Sequence, residues 1–133
     1  MKILFLSSNP NRTGILRLDK EFWEIRGSIA VSRSSKNVFI QFVTATKPKL
    51  MQELIEKEKP DIVHFSGHGN TNGEIVFEDE NRNPLQISPE NFASMFRACG
   101  NNLKCVVLNC CYSDKAAKLI NRTVDCVIGI KIY

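Results

Sequence analysis

Residues Asp61-Ile-Val-His-Phe-Ser-Gly-His-Gly69 constrain the fold more than any other stretch of this chain. Asp61–Ser66 is a short apolar run bounded by Pro60 in front and Gly67 behind. A run of that length with glycine punctuation suits a strand buried on both faces of a parallel sheet. It ends in Gly67-His68-Gly69, an imidazole between two residues that let backbone and ligand approach closely. In open α/β sheets, ligands and chemistry sit just beyond the carboxyl ends of strands. A second buried run, Lys104–Ser113, ends in Cys110 and Cys111. Histidine at one strand end and cysteine at another is the pairing that a thiol nucleophile needs.

The remaining elements fall into place around these two strands. Ile3–Ser7 reads as a first strand, followed by a turn at Asn9-Pro10-Asn11. Leu16, Leu18, Phe22, Ile25 and Ile29 recur at helical spacing up to about Val31, with Trp23 a further candidate for the same face. Val38–Ala45 is a strand, and Thr46 is expected to cap a helix that stops at Lys59-Pro60. After the turn Asn70–Gly73, the segments Glu74–Glu78 and Pro84–Ile87 read as a hairpin with its tip at 80–83. Ser88-Pro89-Glu90 starts a helix that should run to about Cys99 and stop at Gly100-Asn101-Asn102. Cys105–Asn109 is the next strand, Ser113–Ile120 a helix and Asp125–Ile130 a final strand. This alternation specifies a doubly wound α/β sheet, mostly parallel and flanked by helices, with a small hairpin insertion after the histidine strand.

Composition excludes several function classes. The 133 residues make one domain, 1–133, and a 43% hydrophobic fraction argues against disorder. The longest apolar runs are too short to span a membrane, and Asn9-Pro10 interrupts the opening run before it can serve as a signal peptide. The expected compartment is the cytoplasm. The net charge of +4 is dispersed, without a basic stripe interleaved with aromatics, so neither nucleic acid nor membrane is an expected partner. Ser66–Asn70 matches neither GxGxxG nor GxxxxGK[ST], and a turn and hairpin follow it where a nucleotide loop needs a helix. Cys110 and Cys111 lack the two-residue spacer with which thiolates chelate zinc, so no metal and no cofactor is expected.

Five cysteines without a secretory signal should be free thiols. Cys99, Cys105 and Cys126 occupy positions expected to face the core. Cys110 and Cys111 lie where strand gives way to helix, beside an N-terminus that would offer free amides and a positive dipole. Only one of two adjacent side chains can face His68. Of the two histidines, His64 falls within the strand and reads as a structural imidazole bonded to backbone, whereas His68 lies beyond it.

The Ile62–Gly69 and Cys105–Ser113 blocks resemble the CHAT family, a caspase-like domain found beside tetratricopeptide repeats in bacteria. The likeness extends to Ile3–Pro10, Leu16-Arg-Leu-Asp19, Pro60-Asp61 and Val127-Ile-Gly129. It implies a caspase-like α/β fold and a catalytic dyad of His68 with Cys111. His68-Gly69 occupies the family's Ser/Thr-x-His-Gly position, and Cys111 closes its Leu-Asn-Ala-Cys-Tyr-Ser pattern, with Cys110 replacing the alanine. The backbone amides of Gly69 and Cys111 would then be the oxyanion donors. Family members usually continue well beyond Val-Ile-Gly, so this domain is expected to lack their C-terminal segment. The expected function is a cysteine endopeptidase acting on a protein or peptide, a bacterial effector controlled by a protein sensor or regulator. The alternative is a catalytically incomplete interaction module that pairs with a partner chain, or with its own copy, through its terminal strand.

Overall fold

A computed structural model of the chain describes residues 1–11, 13–14, 16–33, 35–97 and 102–132. Its elements are β1 (Lys2–Ser7), α1 (Leu18–Ala30), β2 (Phe39–Val43), α2 (Pro48–Glu58), β3 (Ile62–Ser66), β4 (His68–Gly69), β5 (Ile75–Glu78), β6 (Pro84–Ile87), α3 (Pro89–Ser94), β7 (Cys105–Asn109), α4 (Asp114–Ile120) and β8 (Cys126–Ile128). Five strands form one parallel sheet in the order β2-β1-β3-β7-β8. The hairpin pairs as expected, and the two residues of β4 add a third antiparallel strand to it, which the sequence did not announce.

The strand order explains where the helices lie. From β1 the chain moves outward to β2, then reverses and advances through β3 and β7 to β8. With right-handed crossovers, the outward step leaves its helix on one face and every later step leaves its helix on the other. Leu4, Leu6, Val63, Phe65, Val106 and Leu108 accordingly share one core with Met51 and Ile55 of α2, Phe92 of α3 and Ala116 and Ile120 of α4. The small sheet docks on the same core through Phe65, whose ring centroid lies 5.1 Å from that of Phe77 and 5.6 Å from that of Phe92. On the opposite face α1 is the one α-helix among the described residues, with Phe22 packed against Phe5 and Phe42.

That asymmetry corrects two expectations about cysteines. Alternation along β7 sends Val106 and Leu108 to the core and Cys105 to the α1 face. Helix α1 covers β1 and β2 and reaches β3 and the end of β7 through Glu21, while around Cys105 and over β8 this face is open: Ile128 is 56% exposed, Cys126 is exposed and Cys105 only half-buried. The two sulfurs, opposite each other in the strand register, lie 3.3 Å apart. Helix α3 is shorter than expected, ending at Ser94 with Met95 as its C-cap, and Cys99 falls outside the described residues.

Local capping differs in two places. Ser88 caps α3 as expected, its Oγ accepting the Asn91 N–H at 3.1 Å with Pro89 in the first turn. Thr46 does not cap α2. It is buried, donates from Oγ1 to the Val43 carbonyl at 3.2 Å, and leaves the cap position to Lys47 because Pro48 takes the first helical position. Trp23 likewise stays off the core face, which Phe22 occupies; it is 63% exposed and carries the Arg26 guanidinium 5.5 Å from its ring centroid.

Candidate functional site

Because the sheet is parallel, the exits of β1, β3 and β7 reach the same edge. Backbone hydrogen bonds tie them together: Ser8 N–H to the Ser66 carbonyl at 3.1 Å, and Gly67 N–H to the Asn109 carbonyl at 3.3 Å. His68 follows β3, and Cys110 and Cys111 follow β7, so both sequence blocks end at this edge.

The His68 ring is held by the β1 exit loop. Its Nε2 lies 2.9 Å from the Gly14 carbonyl oxygen and 3.1 Å from Asn9 Oδ1. A carbonyl oxygen only accepts, so Nε2 carries the proton and the lone pair of the neutral ring resides on Nδ1. Burial pushes the His68 pKa below its ordinary 6.5, while the Gly14 hydrogen bond opposes that shift. At neutral pH the ring is therefore a neutral base with a defined tautomer. Neither Asn9 nor Gly14 stood out in the sequence, because the loop that carries them is joined to His68 only by the fold.

Gly69 brings the two blocks into direct contact. A Cβ at this position would collide with the carbonyl oxygen of Cys111, and the collision is with backbone, which cannot swing aside. Gly69 is thus a glycine for closeness of approach. Opposite residues of an antiparallel pair alternate between hydrogen-bonded and non-bonded positions. Asn70 donates its N–H to the Glu74 carbonyl at 3.1 Å, so the adjacent pair Gly69·Ile75 falls on a non-bonded position. The Gly69 N–H is left out of that ladder, on the strand that borders Cys111.

Cys111 and Cys110 have separate environments. Cys110 points into the core, only 2% exposed, and burial pushes its thiol up to about 12. Cys111 is half-buried and lines an open cleft. Tyr112 behind it has φ 55°, a left-handed conformation rare for a residue with a side chain. This sharp turn separates strand from helix and sends the two thiols different ways. The start of α4 is less available than expected. The Asp114 N–H donates to the Ile130 carbonyl at 3.1 Å, and Ser113 Oγ accepts the Ile130 N–H at 2.9 Å. The segment after β8 thus fills the place where free helix amides were anticipated.

The cleft beside Cys111 has a volume of about 460 Å³ and is walled by Leu16, Leu18, Glu21, Ser66, Asn109 and Ile130, among others. Glu21 is the wall residue that the sequence reading passed over. Its Oε1 accepts from His64 Nε2 at 2.9 Å and Asn109 Nδ2 at 2.8 Å, and its Oε2 from Ser66 Oγ at 2.6 Å. Burial pushes the carboxyl up, but these hydrogen bonds outweigh burial and hold it below its ordinary value. His64 is half-buried in the strand as expected, yet its partner is this carboxylate and not backbone, and its ring stacks on Phe5 at 4.6 Å. A signal was present: Glu21 sits three residues after Leu18 and four before Ile25, on the apolar face of α1.

Comparison with known proteins gives two distant relatives. The chain is 28% identical over 133 residues to a protein of Gillisia limnaea named "Probable protease", covering 97% of this chain and 23% of that protein. It is 26% identical over 141 residues to a "Roc-COR-CHAT protease" of an unknown prokaryotic organism, covering 98% of this chain and 13% of that protein. The chain thus spans less than a quarter of the length of either. No protein-family profile matches it. Among the described residues no cluster of three or more His, Cys, Asp or Glu side chains could hold a metal ion, and no helix is long and apolar enough to cross a membrane.

Proposed function

We propose that this chain is a caspase-like peptidase domain of the CHAT type, hydrolysing peptide bonds through Cys111 and His68. The observation that carries the reading is the Gly69–Cys111 backbone contact, which joins the histidine and cysteine blocks at one sheet edge. The names of both relatives support it. His68 Nδ1 takes the thiol proton as Cys111 Sγ attacks the scissile carbonyl. The amides of Gly69 and Cys111 receive the developing oxyanion. The imidazolium then protonates the leaving amine, and a water activated by the same nitrogen hydrolyses the thioester. Gly14 and Asn9 position the ring through Nε2 during both transfers. Control by a protein sensor belongs to the same proposal.

A peptidyl thiol-reactive electrophile tests it, with each modified cysteine identified by mass spectrometry. Cys111 should react faster than the exposed Cys126, and His68→Ala should slow it roughly 100-fold, within the range of general-base contributions. Equal rates at the two cysteines, unchanged by His68→Ala, would sink the peptidase reading. A second reading is an interaction module, favoured by the open face around Cys105 and over β8 with Ile128 exposed. A monomer at all concentrations, purified without a companion, would count against it.

A further inference from the structure

The cleft beside Cys111 has a chemistry that the dyad does not use. One wall is Asn109, Cys110 and Cys111, so a side chain entering it lies beside the residue that carries the thiol. The remaining walls are largely aliphatic: Leu16, Leu18 and Ile130. Among the described residues the one basic wall residue, Arg17, is turned to Asp19, with Nε to Oδ1 at 3.2 Å and Nη2 to Oδ2 at 3.4 Å.

Glu21 also lines the cleft. An ionised carboxylate offers about four acceptor positions, and three are filled, by His64, Asn109 and Ser66. Two of these three donors converge on Oε1 and one on Oε2, so among the described residues the open position is on Oε2. The side chain remains 23% exposed although α1 and the sheet enclose it. A negative charge fixed by three donors, with one acceptor position open to an aliphatic cleft, matches a long aliphatic stem ending in a cation.

We infer that this cleft is the specificity pocket of the proposed peptidase and that it admits lysine or arginine on the acyl side of the scissile bond, with Glu21 as the recognising group. The inference rests on the peptidase reading for its substrate and on the Glu21 geometry for its charge preference. An acidic side chain would meet a carboxylate of like charge, and a short or branched apolar one would leave the open acceptor position unfilled.

Two measurements test it, each able to fail by itself. The first compares fluorogenic peptides that differ only in the residue before the cleaved bond: Arg, Lys, Gln, Leu or Asp. Wild type should prefer Arg and Lys over Gln and Leu by roughly tenfold or more in kcat/KM, the scale of one hydrogen bond to a charged group. Glu21→Gln should remove that preference, read as the ratio of kcat/KM for the Arg peptide to that for the Leu peptide within each variant. Glu21→Asp, which keeps the charge, should retain part of it should the Gln variant fold poorly. The second is binding of agmatine, an arginine side chain with no scissile bond, to Cys111→Ala by calorimetry. Binding should be saturable and lost in Cys111→Ala/Glu21→Gln.

Cleavage through Cys111 with no basic preference would overturn this inference and leave the peptidase standing. Glu21-dependent agmatine binding without cleavage of any peptide would keep the cationic pocket and remove the peptidase. Failure of both measurements removes both.

Discussion

Two glycine-to-alanine substitutions should act with opposite sign, and Gly69→Ala bears directly on the site. Its Cβ would overlap the Cys111 carbonyl oxygen and press on the Cys111 carbonyl carbon at 3.1 Å, while the Glu74 carbonyl oxygen at 3.5 Å would be in ordinary contact. All three neighbours are backbone. Restoring ordinary contact distances requires β4 and the turn after β7 to separate by on the order of 1 Å. Overpacking of this kind costs about 1–3 kcal/mol, and a comparable misplacement of reacting groups costs roughly 100-fold in rate. Gly27→Ala is the control. Gly27 lies inside α1 with nothing within 4 Å of an added Cβ, so alanine should stabilise the protein by roughly 0.5–1 kcal/mol through helix propensity. Denaturant unfolding measures both, with a change in midpoint at constant slope. Alkylation of Cys111 by the peptidyl electrophile reports the site. If Gly69→Ala matches wild type in midpoint and alkylation rate while Gly27→Ala gains stability, the two blocks do not touch as described and the contact argument fails.

Other expectations follow from individual groups. Under native alkylation Cys110 should remain unmodified at pH 8 while Cys111 and Cys126 react, because burial pushes the Cys110 thiol to about 12; modification of Cys110 at the rate of Cys126 would contradict that burial. His68 has a folded pKa below its ordinary 6.5, so the native state binds fewer protons than the unfolded chain. Its stabilising contribution is present above 6.5 and is lost as pH falls through the lowered native value. The acid limb of peptide cleavage should accordingly lie below 6.5, and His68→Gln should remove this component of the stability profile; a limb above 6.5 would refute the assignment. Cys105 and Cys126, with sulfurs 3.3 Å apart, should join on treatment with oxidised glutathione, each disulfide releasing two reduced glutathiones and lowering the protein mass by two hydrogens. Stable mixed disulfides at Cys126, with Cys105 left free, would show that the two strands do not hold this register.

The division between what was legible and what was not follows the range of the interactions. Local chemistry marks itself in sequence: the buried run Asp61–Ser66, the Ser88-Pro89 helix start, and the Gly67-His68-Gly69 and Cys110-Cys111 strand exits all fell where expected. The α/β order was readable for the same reason, since each element reports its own periodicity. Roles set by partners distant in sequence were not. Glu21 looks like one more charge on an amphipathic helix until α1 is laid over β3 and β7, where three donors 43, 45 and 88 residues away close on it. His68 owes its tautomer to a carbonyl 54 residues earlier. Cys105 and Cys126 look like core residues until the reversal at β2 leaves α1 as the one described α-helix on one face, with Cys105 and β8 uncovered. Propensity and patterning act over a few residues and determined the elements. Handedness, strand order and long-range hydrogen bonding act only once the sheet is assembled, and they decided which side chains meet at its edge.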